Sequence, residues 1–156
     1  MKQFIILLLI GFNINVAYGQ LASIKELMLV MDANDNTAEK LLNAKGFAIY
    51  KFKDTNGYTQ TSFALNKNIY DDNADGFIAI AKFSSGKKIV SMDFGNLVHF
   101  SKSKIEAESL GFIFVRTEMS SEKSRYHEYK KGNLVLTFWT NTYTPTTQYE
   151  IALERE

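Results

Sequence analysis

Two periodicities divide this chain. Apolar residues recur at helical three-and-four spacing up to Gly46, and from Phe47 onward the period shortens toward two in short runs cut by glycine, asparagine and serine. Ser23-Ile24-Lys25-Glu26 has the form of a capping box, and Ile24, Leu27, Met28 and Met31 mark one face of a helix expected over about 24–32. Asn34 to Thr37 breaks that helix and offers a new cap, with Glu39 placed to answer Asn36. Leu41, Leu42 and Lys45 then carry a second short helix to Gly46.

Four strands are expected next, over 48–53, 58–66, 76–83 and 88–94. They are separated by Asp54-Thr55-Asn56-Gly57, by the loop around 71–75, and by Ser84-Ser85-Gly86-Lys87. Asn96, or Ser103 with Glu106, starts a third helix that stops at Gly111. Four more strands are expected over 112–118, 124–130, 133–140 and 148–154. In the last, Tyr149, Ile151 and Leu153 alternate with Glu150, Ala152 and Glu154, so its apolar side faces inward.

The order helix, glycine, phenylalanine, strands is therefore written twice. Leu41-Leu42-Asn43-Ala44-Lys45-Gly46-Phe47 is answered about 65 residues later by Ile105-Glu106-Ala107-Glu108-Ser109-Leu110-Gly111-Phe112. The expected fold class is α+β: tandem helix-plus-four-strand repeats, 20–95 and 96–156, forming one antiparallel sheet with helices on one face. A parallel sheet would need a crossover between nearly every pair of strands. On the stretches 41–52 and 105–117 the chain resembles, at the level of fold, the tandem-repeat architecture of beta-lactamase inhibitor proteins and related bacterial envelope domains. It also resembles small exported Bacteroidota proteins of unknown function. Neither resemblance carries a functional residue across.

Composition adds a compartment. A basic start at Lys2, an apolar run from Phe4 to Phe12 and small residues at Ala17 and Gly19 are the parts of an export signal over 1–19. The run is too short for a spanning helix, and no cysteine follows it to be acylated, so no membrane anchor is expected after cleavage. The remaining 137 residues (156 less 19) suffice for one core. With no cysteine at all, the fold must hold without disulfides in a periplasmic or secreted setting.

Charge excludes one class of partner. Eighteen basic residues, less Lys2, stand against 17 acidic ones, and no cluster longer than Lys130-Lys131 concentrates a field that would hold nucleic acid. Asp71, Asn73 and Asp75, followed by Gly76, fit the first places of a calcium loop. Lys82, however, stands where the closing carboxylate belongs, so a plain Asx-rich connector is the stronger reading. His99 and His127 lie on distant elements, Gly-x-Ser-x-Gly and glycine-rich phosphate loops are absent, and no catalytic set emerges.

What remains is the sheet's second face. If Leu134, Leu136 and Phe138 point to the helices, then Val135, Thr137 and Trp139 point away, with Tyr129 and His127 expected beside them. Aromatic side chains bury much area for little rotamer entropy. The expectation is a non-enzymatic, exported interaction domain that binds a protein partner there, of inhibitor, immunity or envelope-assembly type. The alternative is a small-ligand or calcium-binding module.

Overall fold

A computed structural model describes residues 21–156 apart from 69, 71–72 and 144–145; the export signal expected over 1–19 lies outside the described residues. Three helices, α1 (Ile24–Asp32), α2 (Asp35–Asn43) and α3 (Leu97–Ser109), accompany eight strands. The strands are β1 (Phe47–Thr55), β2 (Tyr58–Leu65), β3 (Gly76–Phe83), β4 (Lys88–Phe94), β5 (Ile113–Ser121), β6 (Ser124–Lys131), β7 (Leu134–Tyr143) and β8 (Thr146–Arg155). All eight join one antiparallel sheet in the order β1-β2-β3-β4-β8-β7-β6-β5. Each half of the chain thus makes a four-strand meander, and the last strand of one pairs with the last strand of the other.

The β4·β8 seam carries the core. Across it Val90 faces Leu153 and Met92 faces Ile151, all four fully buried. α1 lies on both strands and brings Ile24, Leu27 and Val30 down onto the same face. Each such side chain removed from water contributes about 1.5–3 kcal/mol. α2 packs on β1, and α3 lays Phe100 over the other half, its ring 5.6 Å from Phe138 and 4.8 Å from Tyr149. The expected mixed α+β antiparallel design holds.

Local chemistry explains the ends of the helices. The Ser23–Glu26 capping box forms as expected, and the Glu106 carboxylate of α3 also accepts from the backbone N–H groups of Ile24 (3.0 Å) and Lys25 (3.1 Å). At the other end of α1, the Lys88 ammonium of β4 donates to the carbonyls of Val30, Met31 and Ala33 at 2.7–3.0 Å. One helix is thereby clamped by both halves. The α2 cap differs from expectation. Asn34, not Asn36, accepts from the Thr37 N–H, because it holds the extended conformation that lets its side chain fold back. Gly46 and Gly111 end α2 and α3 at φ +90° and +87°, and Phe47 and Phe112 then enter the core.

β1 and β5 are the sheet edges. Each is interrupted by a bulge in the same place after its glycine, Ile49/Lys51 in one and Phe114/Arg116 in the other. Bulges and edge lysines such as Lys51 and Lys53 blunt the unpaired backbone against further strand addition.

The clamp at Lys88 gives a direct test. Lys88→Met strips three part-buried carbonyls of a charged donor and is expected to cost about 1.5–3 kcal/mol in urea unfolding. Lys87→Met, which breaks only a surface pair with Glu154, should change stability by less than about 1 kcal/mol.

Candidate functional site

Directly paired residues of antiparallel strands share a face, so register decides what lies opposite the helices. Phe77 faces Asp93 across β3·β4, Asp93 faces Glu150 across β4·β8, Glu150 faces Trp139 across β8·β7, and Trp139 faces Tyr126 across β7·β6. A single row perpendicular to the strands therefore reads Phe77, Asp93, Glu150, Trp139, Tyr126. It lies on the far side of the seam from α1. Among the described residues no helix covers this face.

The expected β7 phase is correct: Leu134, Leu136 and Phe138 turn to the helices, and Val135, Thr137 and Trp139 turn away. The expected neighbours on β6 are not. Tyr129 pairs with Leu136 and His127 with Phe138, which puts both on the helical side, where Tyr129 is buried against Phe138 and His127 accepts or donates to the Thr117 hydroxyl at 2.8 Å. The strand was read one residue out of phase because Tyr126 and Tyr129, an aromatic on each face, erase its alternation. Val135 is also withdrawn from contact, only 4% exposed beneath the long side chains of its cross-strand partners Lys130 and Glu154. Thr137 accepts from the Trp139 indole N–H at 3.2 Å. This satisfies the ring's donor within its own strand and leaves its plane to pack, tilted by 37°, against Tyr126, centroids 4.5 Å apart.

Asp93 and Glu150 escaped the sequence reading. Only register joins them, and no spacing rule connects β4 to β8. Cross-strand like charges repel, with Cβ atoms about 4.5–5.5 Å apart. Burial pushes the Glu150 carboxyl up to about 7, with the Asp93 charge as second cause, and Asp93 is itself raised by burial. Three cations elsewhere on or beside this face are engaged: Arg116 with Glu118 (2.5 Å) and Glu128 (2.9 Å), Lys130 with Glu156 (2.7 Å), and Lys87 with Glu154 (2.8 Å). No ion pair reaches Asp93 or Glu150 among the described residues. Beyond Asp93 the face runs into a cleft of about 660 Å³ lined by Phe77, Asp93, Gly95, Thr146, Thr147 and Gln148.

Of the expected calcium ligands, Asp71 lies outside the described residues. The Asn73 carbonyl accepts from the Asn68 N–H, and the Asp75 carboxylate accepts from the Asn66 amide at 2.8 Å. Among the described residues no three His, Asp or Glu side chains converge as metal ligands. His99 packs edge-on to Phe94 at 4.9 Å and is lowered by burial, and His127 is lowered likewise, so both favour the neutral ring. No family model matches the chain, and no curated protein or solved structure matches it.

Glu150 gives the fold a pH dependence of known sign. Its folded pKa lies above the ordinary 4.5, so its ionisation costs stability progressively as pH rises from about 4.5 to about 7 and levels off above. Glu150→Gln should therefore stabilise the protein at pH 8 by about 1–2 kcal/mol, after discounting for partial solvent access. At pH 4 it should leave stability nearly unchanged. Thermal melts of both proteins at the two pH values check this.

Proposed function

We propose that this protein is an exported, non-enzymatic interaction domain that binds a protein partner through the helix-free face of its sheet. The observation that carries the reading is the row Phe77, Asp93, Glu150, Trp139, Tyr126, where aromatic surface lies beside two carboxylates that no ion pair reaches among the described residues. Keeping two like charges side by side at a partly buried seam costs stability, and such strain is retained most readily where a partner relieves it. Trp139 and Tyr126, packed against each other, supply the apolar area of a binding hot spot. The face adjoins a cleft of mixed polar and apolar lining, which suits a protruding side chain better than a flat contact.

Duplication supplies the scaffold in this reading. Gly46-Phe47 and Gly111-Phe112 both follow a short helix with a left-handed glycine. Both bury the phenylalanine and both lead into an edge strand bulged two residues later. The meanders meet through equivalent last strands. These correspondences support two sibling halves, 20–95 and 96–156, with α1 as an addition that roofs their joint. The leader-like residues 1–19 support a periplasmic or extracellular site of action.

The experiment is capture from an extract of the native host with the tagged mature protein, followed by Trp139→Ala and Tyr126→Ala. Each variant is expected to lose at least about tenfold in partner recovery, equivalent to a lost hot-spot contact, while keeping the wild-type circular dichroism. Full recovery by both folded variants would remove this face from the function.

A further inference from the structure

Resting on that reading, we infer that the partner inserts an arginine side chain over Asp93 and Glu150, between Phe77 and Trp139. Charge complementarity makes the first argument. On this face Arg116, Lys130 and Lys87 are held by Glu118, Glu128, Glu156 and Glu154, whereas among the described residues no ion pair reaches the carboxylates at the seam. The groups beside Glu150 in the sheet are Asp93 from β4, Trp139 from β7 and Gln148 and Ala152 along β8, and among the described residues none of these is a cation. Two carboxylates side by side, one of them only half exposed, repel once both are ionised, and a cation placed over both relieves that repulsion.

Geometry selects the kind of cation. A guanidinium has a planar fork of donors that can reach two adjacent carboxylates at once, and its plane stacks on an indole; an ammonium is a point charge that does neither as well. Trp139 flanks the pair on one side and Phe77 on the other, each directly cross-strand from a carboxylate. The cleft that opens past Asp93, lined by Gly95, Thr146, Thr147 and Gln148, gives room and hydrogen-bonding groups for the main chain that bears the arginine. Protonation of Glu150 near neutral pH removes half of the recognised charge, so the complex weakens on acidification.

Trp139 is the chain's only tryptophan, and its emission reports the site. The probe is N-acetyl-Gly-Arg-Gly-amide, titrated into the mature protein. A saturable change in emission is expected at pH 8. The apparent affinity should fall at least about tenfold at pH 5.5 and in Asp93→Asn and Glu150→Gln. The lysine counterpart should bind more weakly, and the citrulline counterpart should give no saturable change. No response to the arginine peptide, or an equal response from both folded carboxylate variants, overturns the inference. Tetramethylammonium saturating the same signal as tightly as the peptide overturns it too, because the site would then take a free small cation. Failure here is separable from failure of the wider reading. If Asp93→Asn and Glu150→Gln still capture the partner while Trp139→Ala does not, the face binds but not through arginine.

Discussion

The pairing of β4 with β8 is the constraint on which the rest of this protein depends. Two four-strand meanders become one sheet only there, and α1 sits on that joint. Met92 and Ile151 on the helical side are apolar and fully buried. Asp93 and Glu150, one position along, necessarily point the other way because side chains alternate across a strand. The register that makes the core therefore also makes the carboxylate pair.

Fastening of α1 shows how the halves are tied without disulfides. Its N-terminal N–H groups take the Glu106 carboxylate from the second half, and its C-terminal carbonyls take the Lys88 ammonium from the first. Both charges complement the helix dipole, negative at the start and positive at the end. Sheet, roof and clamp thus connect the two halves through α1 and the seam, and the edges lie farthest from both. β5, exposed along its whole length, and β1, exposed beyond Phe47, are those edges.

Most of the architecture was legible in the sequence, because period-two runs bounded by Asn56-Gly57, Ser85-Gly86 and Gly132-Asn133 leave little choice of strand ends. β3 and β4 match their expected limits residue for residue. The helix stops at Gly46 and Gly111 were readable for the same reason, since only glycine takes those angles freely. The candidate site was legible only in part. Trp139 could be assigned a face from Leu136 and Phe138 on its own strand, but Tyr129 could not, because β6 carries large side chains on both sides. Asp93 and Glu150 are 57 positions apart and meet through a long-range register that no local pattern encodes. Tertiary pairing, not propensity, makes that site.

Native-state hydrogen exchange followed residue by residue tests the central claim most directly. If the seam joins both halves into one unit, the interior amides of β4 and β8, among them Met92 and Ile151, exchange together, last, and only through global unfolding. β1 and β5 should exchange much sooner. If β1–β4 stays protected while β8 opens independently, the halves are separate units, and the seam is not what holds the helix-free face together.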